Sequence, residues 1–325
     1  MKLKKIKRLA AAGAAMLMTL SLAGCGIGGS SVKLGAAGVG GGYYAFFNAF
    51  AQIASEEDED LDFEVKATAG SSANIRLLSD GYVDMAIAQA DLVDAAYNGT
   101  GATDKKRYRG YSAVASLYTE ACQIVVRADS GIDNLDDLQG KKISVGEEES
   151  GTQRNAEQIL KMTGLVESLV DTVNLDYVDA ANELKSGQID AFFCTAGIQT
   201  SVIEELSKEC DVKLIGIDDK CRDRLKSVYG FYTDYTIPAG TYEGQDQDVE
   251  TLGVRAVLLA RDDMDEEIVE ELTGILFEHV QDIQYSIALT FQIDESEAVK
   301  NVTIPFHDGA KAYYQKKGIE IPAEQ

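Results

Sequence analysis

Glycines and small hydroxyl residues recur in this 325-residue chain where apolar runs give way to helical periodicity. They cluster at Gly40, Gly41, Tyr43 and Tyr44, at Ser71, Ser72 and Asn74, at Gln89, and at Tyr118 and Glu120. They return at Ser150, Gly151, Thr152 and Arg154, and at Thr195, Ala196 and Gly197. Such residues leave backbone N–H groups free at helix starts, where the helix dipole adds partial positive charge. The chemistry this suits is non-covalent capture of a small polar molecule. A carboxylate fits the amides, chiefly at Ser150–Thr152. Glu120 and Gln89 fit an amino or amide group, and Tyr43 and Tyr44 supply walls and hydroxyl donors. Arg76 and Arg154 are candidate anion partners, with an ordinary helix surface as the alternative for each. Ser150-x-x-Gln153 also fits a plain capping box, so the reading rests on all six junctions meeting at one edge.

Covalent chemistry has little to work with. The chain holds two histidines, His279 and His307, and no G-x-S-x-G, H-E-x-x-H or P-loop. No catalytic residue, cofactor or metal is therefore expected. Cys122, Cys194, Cys210 and Cys221 lack the spacing of a zinc site. Gly40-x-Gly42-x-x-Ala45 matches a dinucleotide fingerprint, but Thr68-Ala69-Gly70 stands where the ribose-binding acid should end the second strand. The acidic runs Glu56–Asp60 and Asp262–Glu267 lack EF-hand spacing and read as solvated charge.

The elements that would carry these junctions alternate. Strand patterns cover 32–34, 61–68, 83–88, 123–127, 143–145, 173–178, 189–194 and 252–259. Helical patterns cover 43–54, 72–79, 152–163, 180–186 and 266–288. The order is βαβαβ twice, which predicts an α/β protein with helix-covered parallel sheets. A repeated phrase supports the division: Leu78-x-x-Gly81-x-x-Asp84 and Leu184-x-x-Gly187-x-x-Asp190 each precede an apolar run. Each reads as a helix end, a glycine cap and the next strand. Two lobes follow, with a boundary near Ser116–Ala128 and a C-terminal part that returns to the first. The expected division is 32–119 and 250–325 for lobe 1, and 120–249 for lobe 2. Ligands of open parallel sheets bind beyond the carboxyl ends of strands, so the six junctions would face one crevice.

Met1–Gly24 has a basic start (Lys2, Lys4, Lys5, Lys7, Arg8) and a short apolar run, the pattern of a secretory signal. It ends in Leu22-Ala23-Gly24-Cys25, which resembles the bacterial lipoprotein box. That resemblance implies a lipidated Cys25, an extracytoplasmic protein held at the membrane, and 25–31 as a flexible Gly/Ser tether. Losing five cationic residues with the signal would take the formal charge from −24 to about −29. Nucleic acid and anionic lipid are poor partners for such a chain.

Several ordered segments resemble the TAXI-type solute receptors of TRAP transporters. They include Gly35–Tyr44, Gly70–Leu78, Val126–Ile132, Leu138–Gly146, Ser150–Thr152, Gly187–Phe193, Ile237–Tyr242 and Ile304–Ala310. The resemblance implies a bilobal periplasmic-binding-protein-like fold with a hinge. It also implies delivery to TRAP integral membrane subunits driven by an ion gradient, and ligands such as glutamate, glutamine or small dicarboxylates. Its implied ligand shell covers Gly40–Tyr44, Ser71, Ser72, Asn74, Gln89, Glu120, Ser150–Thr152 and Thr195–Gly197. Two departures stand out: Glu147-Glu148-Glu149 replaces a frequent Ala-Pro-Gly, and Thr119 stands where Pro is frequent. The acids disfavour a doubly charged ligand and favour glutamine or another neutral amino acid. A receptor for an ATP-driven permease or a sensor, and a secreted enzyme on the same scaffold, are the rival readings.

Overall fold

The computed structural model describes residues 31–101, 105–166, 168–287 and 292–322. The expected signal segment, Cys25 and the tether through Ser30 lie outside them. The first run of elements is β1 (Val32–Gly35), α1 (Gly42–Glu57), β2 (Phe63–Lys66), α2 (Ser71–Ser79), β3 (Met85–Gln89), α3 (Ala90–Asn98) and β4 (Tyr111–Arg127). The second is β5 (Lys142–Ser144), α4 (Gly151–Thr163), β6 (Asp171–Val173), α5 (Tyr177–Ser186), β7 (Ala191–Ala196), α6 (Ser201–Glu209), β8 (Val212–Leu214), α7 (Asp219–Val228) and β9 (Thr233–Ile237). The chain closes with β10 (Val249–Arg261), α8 (Glu266–Glu278), α9 (Val280–Ser286) and α10 (Asp308–Lys317).

One curled sheet runs in the order β2-β1-β3-β10-β4-β7-β5-β6, with β8 on β4 and β9 on β10. β1 pairs in parallel with β2 and β3, and β5 with β6 and β7. These are the two groups that the βαβ patterns anticipate. Between them, the long strands β4 and β10 pair antiparallel to each other.

Both long strands pass from one core to another. Tyr111–Tyr118 of β4 and Ala256–Ala260 of β10 belong to a core that also holds Leu34, Phe46, Phe50, Ile75 and Leu272. Cys122, Ile124 and Val126 of β4, with Leu252 and Val254 of β10, belong to a second core with Ile143, Ile159 and Phe193. Val125 and Phe192 point to the opposite face of that half, under α5 and α6. The β4–β10 register breaks between Arg255 and Val257, at the change of core. A bulge there bends and twists the ladder. Gly253 faces this crossing because a Cβ would lie 2.4 Å from Thr119 Cγ2. Thr119 lies inside β4, opposite Arg255, so no separate turn forms at that position.

The repeated phrase is a repeated device. Gly81 and Gly187 follow α2 and α5 with φ of +75° and +74°, the left-handed conformation that glycine adopts without strain. Asp84 then accepts from the Lys33 amide at 2.8 Å and donates its own N–H to the Lys33 carbonyl at 2.8 Å. Asp190 does the same with Lys142, at 2.9 and 2.8 Å. Each aspartate thus satisfies both polar groups at the start of the neighbouring parallel strand. An arginine ending a long strand completes each copy. The Arg261 guanidinium reaches Gly81 O and Asp84, and the Arg127 guanidinium reaches Leu184 O and Ile189 O.

Several expected elements differ, among them the strand placed at 123–127, which begins at Tyr111 as β4. The strand placed at 173–178 ends at Val173, because the Asp176 carboxylate accepts from the Asp179 N–H at 2.8 Å and starts a helix at Tyr177. The strand at 61–68 contracts to Phe63–Lys66, the length that pairs with β1. The helix at 266–288 breaks at His279, whose φ of −113° leaves the helical range.

Gly81→Ala and Gly187→Ala should each destabilise the protein by about 1 kcal/mol through positive-φ strain. Asp190→Ala should cost about 1–3 kcal/mol by leaving the Lys142 amide unpaired. Urea unfolding midpoints unchanged in these variants would show that the device carries no load.

Candidate functional site

The junctions after β1, β2, β3, β5, β6 and β7 border one narrow cleft with about 40 Å³ of free space. From the first core come Ala37, Gly38, Gly41–Tyr43, Ala69–Ser71 and Gln89. From the second come Glu147, Ser150–Thr152, Asp176, Tyr177, Thr195 and Ala196. Glu120 forms part of the floor, on β4, opposite Val254 where the long strands change core. The starts of α1, α2, α4 and α5 therefore meet across it, each shaped by its loop. At Gly70, φ is +114° and a Cβ would lie 3.6 Å from Ser150 Cα of the facing half. Ser150 Oγ caps α4 by accepting from the Gln153 N–H at 2.9 Å.

A buried hydrogen-bond network holds the floor. Tyr43 OH donates to Glu120 Oε2 at 2.7 Å. Gln89 Nε2 donates to Asn155 Oδ1 at 3.1 Å and lies 3.4 Å from Glu120 Oε2. Asn155 Nδ2 continues the chain to Tyr232 OH at 2.8 Å. Opposite, Tyr177 OH donates to Thr195 O at 3.0 Å and lies 2.5 Å from Thr152 Oγ1, which accepts from the Thr195 N–H at 3.2 Å. Glu120 is only 3% exposed. Burial pushes its carboxyl up to about 8, against the lowering effect of its bonds from Tyr43 and Gln89. It is therefore mostly protonated and uncharged at neutral pH.

The two halves touch on either side of the cleft. Ser72 and Ala73 at the start of α2 donate their N–H groups to Glu149 O at 3.0 and 3.2 Å. Glu149 adopts φ of +63°, an unusual value for a side-chain-bearing residue. Its carboxylate takes two bonds from Arg76, at 3.0 and 2.6 Å. Ser201 Oγ donates to Gly40 O at 3.3 Å at the other rim. The main-chain carbonyl of Glu149 thus occupies the α2 amides that a ligand anion could otherwise use.

Ten of the seventeen expected ligand residues line the cleft: Gly41, Tyr43, Ser71, Gln89, Glu120, Ser150, Gly151, Thr152, Thr195 and Ala196. The other seven do not. Ser72 is engaged by Glu149, and Gly40 gives its carbonyl to Ser201. Asn74 is a buried brace whose Nδ2 donates to Gly35, Ala36 and Ile87 carbonyls. Tyr44 packs against the first core. Tyr118 lines a different hollow with Arg255. Gly197 O accepts from Thr200. Arg154 lines a third hollow, beside Glu149 and Glu157. Arg76 is likewise committed to Glu149, so neither arginine faces the cleft. Asp176 and Tyr177 were not among the expected residues, since that segment read as strand. The spacing Asp176-x-x-Asp179, an N-cap pattern, was the signal that could have placed them. Glu147 also lines the cleft, whereas Glu148 is exposed.

Two measurements test this geometry. Glu120 keeps its proton when buried but ionises near the ordinary glutamate value of about 4.5 when exposed. The folded state then binds more protons than the unfolded state between about 4.5 and about 8, so stability falls with rising pH across that window and levels off above it. Glu120→Gln should flatten this slope in unfolding titrations; an unaltered slope would show that Glu120 is not its source. Gly151→Ala should disturb the seam, because a Cβ there would lie 2.5–2.7 Å from the Gln89 carboxamide. Its unfolding free energy without ligand should change by no more than about 1 kcal/mol, as alanine suits the first helical turn. Its compactness in small-angle scattering should decrease, and a profile identical to wild type would refute a tight seam.

Solved structures share this architecture. MatC from Rhodopseudomonas palustris with bound malate aligns at 14% identity over 82% of this chain and 91% of that one, with a TM-score of 0.57. A protein from Bordetella bronchiseptica aligns at 17% identity over 89% and 98%, with a TM-score of 0.56. A protein from Listeria monocytogenes described as an L-cystine ABC transporter aligns at 13% identity over 79% and 94%, with a TM-score of 0.50. At these identities the likeness is one of fold: a mixed α/β architecture with a curled sheet, the periplasmic-binding-protein-like arrangement that the sequence led us to expect. The model of the NMT1-like family matches residues 34–318, and the chain belongs to that family.

Proposed function

We propose that the protein is an extracytoplasmic solute receptor. It captures a small amino acid or carboxylate of glutamate or glutamine type between two lobes and delivers it to a TRAP membrane permease. The carrying observation is the meeting of six strand-end junctions, drawn from two separate cores, around one cleft. In this reading the lobes are residues 32–119 with 250–325, and 120–249, with Leu252 and Val254 of β10 reaching into the core of the second. The bulge beside Arg255 supplies the point about which they swing. A ligand bridging both halves would stabilise the closed form, and that form is what a permease would recognise. Retention at the membrane by lipidated Cys25 keeps the receptor near its partner. In this reading the protein acts by binding; among the described residues that line the cleft there is no histidine, lysine or cysteine.

Delivery to an ATP-driven permease is the second reading. It is favoured by the fold shared with the Listeria protein described as an ABC transporter.

Thermal unfolding with amino acids and dicarboxylates tests the receptor reading. At ligand concentrations a hundredfold above Kd, binding stabilises the folded protein by about 2.7 kcal/mol. That gain corresponds to a rise of about 5 °C or more for a chain of this size. The ligand should be recovered unchanged after prolonged incubation. Chemical conversion, or the absence of stabilisation by every solute in these classes, would exclude a receptor of this kind. Uptake of labelled ligand that survives ATP depletion but stops when ion gradients collapse would identify the TRAP route; the reverse would identify the second reading.

A further inference from the structure

A second hollow lies behind the β4–β10 ladder, with about 510 Å³ of free space against about 40 Å³ in the cleft. Side chains of a strand alternate between the two faces of its sheet. Glu120, paired with Val254, lines the cleft, so the flanking pairs Thr119–Arg255 and Ala121–Gly253 face the other way. The Tyr235 ring lies on that same back face, where a Cβ on Gly253 would be 3.3 Å from Tyr235 Cδ2. The walls of the hollow come from different halves. Tyr235 stands on β9, opposite Thr251 of β10, and packs with Ala121 and Ile198. Asp294 and Glu297 come from the segment after α9. The first core holds that segment through Ile293, Ala298 and Val299, and Ala298 O accepts from the Ser116 N–H at 2.7 Å.

Among the described residues that line the hollow, Arg255 is the one cation. Its Nε donates to the buried Ser116 Oγ at 3.1 Å, which fixes the guanidinium plane. Its two terminal nitrogens have no acceptor among the described residues. The neighbouring carboxylates are committed elsewhere. Glu297 accepts from Lys300 at 2.5 Å, and Asp294 accepts from the Ser296 N–H and hydroxyl at 2.8 and 2.6 Å. Burial lowers the Arg255 pKa, and the Glu297 charge offsets this only in part. A half-buried guanidinium with an open fork is unfavourable, and a planar anion with two acceptor oxygens satisfies it. Asp294 and Glu297 repel a second negative charge, and the Tyr235 ring offers an apolar wall.

We propose that this hollow is a second binding site, for a small monocarboxylate with a flat apolar body. The carboxylate sits on the Arg255 fork and the body lies against Tyr235. Because hollow and cleft occupy opposite faces of one ladder, a swing that opens the cleft brings Tyr235 and the 294–297 segment together. An occupant of the hollow therefore resists opening, and occupancy of either site favours the other. The binding step stands by itself; the linkage rests on the lobe swing proposed above.

Benzoate tests the assignment, with benzamide as its uncharged control. Hydrogen exchange of the Ser72 and Ala73 amides reports opening, since both donate to Glu149 O across the cleft. In calorimetry at pH 7 on the purified protein, benzoate should bind saturably and benzamide should not. At ten times its Kd, benzoate should slow exchange of both amides about tenfold. Arg255→Gln should weaken benzoate at least tenfold, the worth of one hydrogen bond to a charged group, and abolish the slowing at that concentration. Arg255→Lys keeps the charge but loses the fork; it should weaken benzoate less, and it serves as the second variant if Arg255→Gln folds poorly. No saturable binding, equal binding of benzamide, or full affinity in the folded variants overturns the site. Slowing that persists in Arg255→Gln places benzoate in the cleft and also overturns it. Binding that leaves both amides exchanging at the original rate overturns the linkage. None of these results bears on whether solutes stabilise the protein from the cleft, so the receptor reading stands or falls separately.

Discussion

The antiparallel pairing of β4 with β10 is the constraint on which the rest depends. Two strands that each serve two cores tie the halves of the chain along one line, and the contacts elsewhere between the halves are the few at the rims and floor of the cleft. Beside the ladder lies a cleft whose floor includes Glu120 of β4 and whose walls include helix starts. Gly253 and the bulge beside Arg255 let the two strands pass closely at the crossing. Glu120 sits at that point, and among the described residues it is the most deeply buried carboxyl-bearing side chain.

Burial at this crossing has two consequences for chemistry. It keeps Glu120 protonated, so the floor is polar without being anionic. It also makes every unmet hydrogen bond costly, which is why Tyr43, Gln89, Asn155 and Tyr232 form a connected chain across the halves. The rim differs. Glu147 and Asp176 retain solvent, and Glu149 meets Arg76 at a partly exposed ion pair of modest worth. The stronger part of that rim contact is the Glu149 carbonyl, which sits on α2 amides much as an anion would.

How much of this was legible beforehand depended on the range of the interaction. The phrase Leu-x-x-Gly-x-x-Asp was readable because a left-handed cap and its strand lie within seven residues. That each aspartate would bond the first strand of its own half was not, since Lys33 and Asp84 are 51 positions apart. Ser71, Gln89, Ser150–Thr152 and Thr195 were found because parallel strands place their ends on one edge. Asn74 and Tyr44 share the same junction chemistry yet turn inward to brace loops and fill core, and composition gives no sign of that choice.

Local pattern by itself determined the βαβ order, the glycine caps, the two-part division and the edge on which polar junctions gather, because each follows from periodicity or turn chemistry within about a dozen residues. Tertiary structure alone decided that β4 and β10 would run through both halves, that Glu149 would take the α2 amides, and that the arginines would face away from the cleft. Those outcomes depend on which surfaces meet once the chain has folded. Burial, the property that sets the charge of Glu120, exists only when both halves are in place.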